Sequence, residues 1–288
     1  MHDCLVWNVD PELLRIGPLA IRYYSLLFVA GLLLGFKFWM SQSKRLGYDL
    51  VVADKWLVWG VVAVVAGSRL GHCLFYEPLY YLKHPLEILF VWKGGLASHG
   101  ATLGIIFTLW LYCRKYHLPY IEVLDRMAIP TTMGATFVRL GNFMNSEIVG
   151  RVTDGPLAVC FPRFEDHGAN GRYPSQLFEA GIGGAIFLLL LLVDRLLPDN
   201  GRKRGILSGL FMSVYFTGRF FVEFFKEYQA LSPSQSWLTE GQLLSIPFAV
   251  AGYIWLTLAL LGKFGRLKVP ACDTPSVAPA SVHRKKQK

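Results

Sequence analysis

Long apolar runs separated by short polar segments dominate the chain. The runs lie near 19–40, 56–76, 96–113, 122–141, 175–196, 206–225 and 242–262. Each approaches the roughly 20 apolar residues that a helix needs to cross a hydrocarbon layer. The first reads LAIRYYSLLFVAGLLLGFKFWM, and the fifth contains IGGAIFLLLLLV. The fourth, around AIPTTMGATFV, is richer in small residues and threonine. Small residues let helices approach closely in lipid, so this run reads as an interior helix. The pattern predicts an all-α, polytopic integral membrane protein with seven transmembrane helices in one domain over residues 1–269. The remainder, 270–288, reads as a disordered basic tail, rich in Pro, Ser, Ala and Lys.

Composition agrees with the pattern. Of 288 residues, 53% are hydrophobic and 17% charged, against about 25% charged in a soluble domain. The net charge of +9 has a topological distribution. Lys44, Arg45, Lys55, Arg114, Lys115, Arg195, Arg202, Lys203, Arg204 and the basic tail fall in alternate connections. The positive-inside rule then puts the N-terminus in the periplasm and the C-terminus in the cytoplasm. A nucleic-acid partner is not expected. The first apolar run lacks a cleavage site after a short apolar core, so it reads as a retained span. Five scattered cysteines, Cys4, Cys73, Cys113, Cys160 and Cys272, show no CxxC. They predict neither a disulfide framework nor a zinc site.

Polar residues inside the spans carry the chemical signal. A charge at the centre of a bilayer costs roughly 2.5–3.5 kcal/mol on insertion scales. In IRYYS, Arg22 and Tyr23 read as interfacial anchors, while the Tyr24 hydroxyl can point inward. In GSRLGHCLFY, Arg69 sits among small residues. It is either a structural charge neutralised by a carboxylate or part of a headgroup pocket. In WKGGLASHGATLG, glycines surround His99, a titratable base at a span entry. The densest run is FVRLGNFMNSEIVGR, residues 137–151, where Arg139, Asn142 and Asn145 recur at helical i,i+3 spacing ahead of Glu147, Gly150 and Arg151. In GRYPSQLFE, Ser175 reads as a helix cap after Pro174, and Glu179 as the partner of an arginine. In YFTGRFFVEFF, Arg219 and Glu223 are i,i+4 neighbours that can neutralise one another, or leave the outer arginine nitrogens to a ligand. Arginines converging from several spans suit an anionic phosphate.

The run RLGNFMNSEIVGR closely resembles the signature of the bacterial phosphatidylglycerol–prolipoprotein diacylglyceryl transferases. IRYYS, GSRLG, LFY, GGLASHG, YPSQLFE and GRFFVEFF follow the same family's order over roughly residues 15–262. The resemblance implies a seven-span enzyme of the bacterial cytoplasmic (inner) membrane, surrounded by membrane lipids. Its substrates would be phosphatidylglycerol and prolipoprotein signal peptides bearing a lipobox cysteine. The products would be a thioether and glycerol 1-phosphate, with no cofactor and no metal. Carried over residue by residue, it implies His99, Arg139 and Arg219 as catalytic. Tyr24, Arg69, Asn142, Glu147, Gly150 and Glu223 would bind substrate or support the site. His99 would act either as the base for the thiol or as a positioning group. Two positions depart from the family pattern, Ser25 and Ser146, where glycine is common. From the polar residues alone, an arginine-lined lipid or anion transporter is the rival reading.

Overall fold

The computed structural model describes residues 4–17, 19–95, 97–228 and 237–267. The tail expected to be disordered, 270–288, lies outside these residues. Each predicted run falls on a helix: α1 (Tyr23–Arg45), α2 (Leu50–Phe75), α4 (Ser98–Lys115), α5 (Tyr120–Met144), α6 (Ser175–Leu196), α7 (Ile206–Val222) and α8 (Glu240–Leu260). A short α3 (Pro78–Lys83) and two 3₁₀ turns lie between α2 and α4. Four helices, α1, α2, α6 and α8, are long and apolar enough to cross a membrane. α7 is apolar but has only 17 residues. Outward-facing side chains on these helices are bare hydrophobes, among them Leu33, Val58, Val62, Leu188, Leu192 and Ile254. In water such a surface would be a liability; in lipid it is the solvated face.

Helix ends follow local chemistry. The Asp49 side chain accepts the Val51 N–H at the start of α2. Thr239 and Gln242 close a capping box at the start of α8. Lys44 and Arg45 occupy the last turn of α1, the negative end of its dipole.

Glycine makes the helix pairs. Lipid tails are as apolar as leucine, so helices in a bilayer associate through close contact rather than hydrophobic burial. Ala63, Gly67 and Gly71 of α2 face Gly100 and Gly104 of α4. A Cβ on Gly67 would lie 2.6 Å from the Gly100 carbonyl oxygen, and one on Gly104 would lie 2.6 Å from that of Ala63. In α1, Gly31 and Gly35 sit against Phe137 and Pro130 of α5, and in α8 Gly252 sits against the Ser213 backbone of α7.

Opposite the arginine-rich end of α5, a buried ionic clamp joins four elements. Arg126 is fully buried, with Glu122 at 2.8 Å and Asp194 at 2.6 Å. Asp194 also takes Arg202 at 2.9 Å and Arg45 at 2.6 Å. The Asp125 carboxylate accepts the Gly205 and Ser208 N–H groups, and so caps α7 from another helix. Apart from the i,i+4 pair Glu122–Arg126, these residues stand far apart in sequence.

The predominantly helical architecture agrees with the all-α expectation, though helices are not the whole of it: β1 (Leu5–Val6), β4 (Val159–Cys160) and β5 (Gly171–Arg172) form one small sheet. β2 (Glu12–Ile16) and β3 (Leu19–Arg22) form a hairpin. The segment between α5 and α6 is polar, so its backbone groups need partners, and short strands supply them. One expectation is corrected: the cysteines are not all free, because Cys4 and Cys160 form a disulfide across 156 positions. Spacing gave no hint of it, since the parallel pairing of β1 with β4 brings the two together.

Candidate active site

α5 delivers Arg139 and Asn142 to the end of the bundle where the α5–α6 connection folds back. That connection is strained and tightly held. Ser146 and Ile148 adopt positive φ, 56° and 54°, a conformation that is unfavourable for a β-branched residue. Glycine, which the resemblance implies at position 146, would take this φ without strain. Asn142 Nδ2 and Asn145 Nδ2 each donate to the Glu147 carboxylate at 3.1 Å. Gln176 Nε2 donates to the Glu147 carbonyl at 2.6 Å. Ser175 does not cap α6 as expected; its hydroxyl donates to the Ile148 carbonyl at 3.0 Å.

Gly150 is wedged where this connection meets the end of α7. Its N–H donates to the Tyr173 carbonyl. A Cβ there would fall on that carbonyl oxygen and 2.5 Å from the oxygen of Phe225. The space is filled by backbone, so Gly150 serves the packing of the site. Tyr24, at the first turn of α1, lays its ring on Gly141, where a Cβ would approach Cδ2 to 2.6 Å. It thereby stands between the turns that carry Arg139 and Asn142.

The arginines converge on Glu179. Arg139 Nε lies 2.6 Å from Glu179 Oε2, and Arg219 Nη1 lies 3.8 Å from Oε1. The expectation that Glu179 pairs with an arginine is met twice over. The i,i+4 pairing of Arg219 with Glu223 does not form. Glu223 instead pairs with Lys226 Nζ at 3.4 Å and sits against Gly241 in the first turn of α8. A helix N-terminus stabilises a carboxylate, so a tertiary field has displaced the local pair. Arg219 is thereby left with its outer nitrogens open to a recess lined by Ala135, Arg139, Glu179, Ile182, Tyr215 and Val222. Lys226 is buried at 3% exposure and also lies 3.7 Å from Glu179. Its apolar neighbours Phe224 and Phe225 offer no sequence signal that it turns inward.

Arg69 and His99 belong to the α2–α4 pair. Arg69 is buried, and among the described residues no ion pair joins it to a carboxylate. Its guanidinium donates to four carbonyls: Glu87 at 2.6 Å, Gly94 at 2.7 Å, Ile88 at 3.0 Å and Gly95 at 3.3 Å. Gly94 and Gly95 take φ of 89° and 68°, which a side chain would resist. The arginine thus organises the loop leading into α4. His99 follows on the first turn of α4, exposed. Among the described residues, no hydrogen bond or ion pair joins it to Arg139 or Arg219.

Outside the bundle, Arg172 ties the cap to the site. It bonds Asp166 at 2.8 Å, Glu227 at 2.6 Å and the Gly150 carbonyl at 3.2 Å. Burial opposes ionisation of Asp166, but Arg172, the Gly168 N–H and Asn170 outweigh it and hold the carboxyl below its usual range. A larger groove of about 420 Å³ between Trp110 and Tyr120 lies at the opposite end of α5 and holds no arginine cluster.

Residues 11–258 match the family model described as prolipoprotein diacylglyceryl transferase. The chain belongs to the prolipoprotein diacylglyceryl transferase family. It is 42% identical over 260 residues to the phosphatidylglycerol–prolipoprotein diacylglyceryl transferase of Tolumonas auensis, covering 90% of this chain and 99% of that one. The protein of the same name from Bacteroides fragilis is 40% identical over 264 residues, covering 87% of this chain and 93% of that one. That from Paramagnetospirillum magneticum is 41% identical over 258 residues, covering 88% and 94%.

Proposed function

We infer that the protein transfers the diacylglyceryl group of phosphatidylglycerol to the cysteine thiol of a prolipoprotein. The carrying observation is the convergence of Arg139 and Arg219 on one recess, in a chain similar to these transferases over nearly its whole length. In the reaction the sulfur forms a bond to C3 of the glycerol moiety. The C3–O bond breaks, and its electron pair leaves on the phosphate ester oxygen. The thiol proton passes to a base and ends on the departing glycerol 1-phosphate. Arg139 and Arg219 bind the phosphate and stabilise the charge that grows on it in a low-dielectric pocket. His99 faces the thiol, as base or as positioning group. Asn142 and Glu147 shape the headgroup end of the pocket, and Tyr24 packs on Gly141 beside Asn142. Arg69, Gly150 and Glu223 act on structure, through the loop before α4, the α5–α6 connection and the charge balance around Lys226. No observation favours an arginine-lined transporter.

The setting is the bacterial inner membrane, crossed seven times by α1, α2 and α4–α8, with the N-terminus periplasmic. The Cys4–Cys160 disulfide supports this orientation, because such bonds persist on the oxidising side of the membrane. The positive residues of the alternate connections support it independently. The lipobox of the precursor presents the accepting thiol.

The test is purified full-length protein with phosphatidylglycerol and a lipobox peptide, read by mass spectrometry. A diacylglyceryl adduct on the peptide cysteine is expected, and its absence sinks the assignment. Arg139→Ala is expected to abolish turnover while the helical content stays unchanged.

A further inference from the structure

The recess between the arginines is nearly closed. The free space among Ala135, Arg139, Glu179, Ile182, Tyr215, Arg219 and Val222 amounts to about 10 Å³. That is about the room one water needs, too little for a phosphate group. The Glu179 carboxylate occupies the position where a phosphate would meet both guanidinium groups. Its hold there is loose on two of three sides. Arg139 is at 2.6 Å, but Arg219 and Lys226 stand at 3.8 Å and 3.7 Å, and Glu179 Oε2 accepts no well-aligned hydrogen bond. The Arg139 and Arg219 side chains remain 17% and 26% exposed, so their outer nitrogens already face the entry.

The charges form a closed set. Arg139, Arg219 and Lys226 face Glu179 and Glu223, which leaves a surplus of one positive charge. A phosphodiester carries one negative charge and neutralises that surplus. It can do so only if Glu179 gives up its place. Lys226 is positioned to receive it: buried, 3.7 Å from Glu179 Oε1 while Arg139 holds Oε2, and paired at 3.4 Å with Glu223.

We propose that Glu179 is a resident counter-anion, a positioning residue that holds the phosphate position in the empty enzyme and swings onto Lys226 when the phosphodiester enters. This rests on the reading of Arg139 and Arg219 as phosphate ligands. No bond to carbon or phosphorus is involved. After transfer, the released phosphate monoester has lost its covalent link to the lipid anchor. The returning Glu179 carboxylate then competes for the arginines and drives the product out. Lys226 stabilises the displaced state, and Glu223, held at the α8 N-terminus, keeps Lys226 charged and in place.

The experiment uses the detergent-solubilised full chain and titrates it with glycerol 1-phosphate by calorimetry. Steady-state assays with phosphatidylglycerol and a lipobox peptide run beside it. Glu179→Gln keeps the shape and removes the competing charge. It is expected to bind glycerol 1-phosphate about tenfold tighter than wild type, the scale of one charge-assisted hydrogen bond. KM and kcat should fall together, and Glu179→Asp should restore both toward wild type. Binding that is unchanged or weaker in Glu179→Gln overturns the proposal. Lys226→Met supplies the second arm. It should weaken binding when Glu179 is present and have little effect in the Glu179→Gln background. Equal effects in the two backgrounds would mean that the residues act separately, and would overturn the exchange. Arg139→Ala separates the two levels of inference. If it binds glycerol 1-phosphate like wild type, the phosphate-binding reading itself fails. If it loses binding while Glu179→Gln gains none, only the counter-anion role fails.

Discussion

Replacing Arg69 by lysine keeps the charge and removes the planar fork. The fork matters because four carbonyls converge on it, those of Glu87, Ile88, Gly94 and Gly95. An ammonium group is a point donor that can satisfy one or two of them from the same backbone position. At least two acceptors then lose a charged donor in a buried setting, at about 1–3 kcal/mol each. The loop can relax and admit water, so the low end of the sum, about 2–3 kcal/mol, is the expected local cost. At 1.4 kcal/mol per tenfold, this raises the opening of residues 87–95 by roughly 30- to 150-fold. Helix packing is untouched, because Gly67, Gly71, Gly100 and Gly104 still interlock. The assay is amide hydrogen exchange in detergent, followed by peptide mass. Exchange should accelerate in 87–95 and stay unchanged in α5–α8, while kcat falls because His99 loses its fixed approach. If Arg69→Lys exchanges and turns over like wild type, the α2–α4 packing alone holds the loop and the reasoning is refuted.

Other perturbations test other parts of the structure. Ser146→Gly removes a side chain from a residue at φ 56° and deletes a buried hydroxyl that has no partner. It should stabilise the protein by about 1 kcal/mol, seen as a higher melting temperature with activity retained. The depressed Asp166 carboxyl sets an acid limit. Its folded pKa lies below its unfolded one, so its contribution is present at neutral pH and is lost as pH falls through the folded value. Melting temperature against pH should therefore drop below the usual carboxylate range, and Asp166→Asn should flatten that limb. Reducing the Cys4–Cys160 disulfide, or replacing both residues with serine, should free the first strand. A loss of about 3 kcal/mol is expected, measured as faster proteolysis near residues 4–7.

The helices were legible because crossing a bilayer demands long apolar runs, and nothing else in a chain of this size resembles them. Arg139, Arg219 and Glu179 were legible because a charge inside such a run needs a reason. Their partners were harder to read. An i,i+4 rule pairs Arg219 with Glu223, but the rule knows nothing of the α8 N-terminus that draws Glu223 away. Lys226 follows two phenylalanines, and only the return of the chain past Gly150 buries it. Arg69 found carbonyls instead of a carboxylate because glycines with positive φ turned those carbonyls toward it. The clamp of Glu122, Arg126, Asp194 and Arg202 depends on contacts across as many as 80 positions. Such contacts are properties of the packed bundle.

The glycine interlock between α2 and α4 also divides the proposed catalytic groups between two sets of helices. α2 and α4 grip one another backbone to backbone, and together they carry Arg69 and His99. Arg139, Glu179, Arg219 and Lys226 ride on α5, α6 and the end of α7, cross-linked by their own charges. α4 touches α5 along a thin seam and makes no ionic bond across it among the described residues. A shift along that seam would change the spacing between His99 and the proposed phosphate-binding arginines. A molecule wedged into it would stop the reaction while resembling neither substrate.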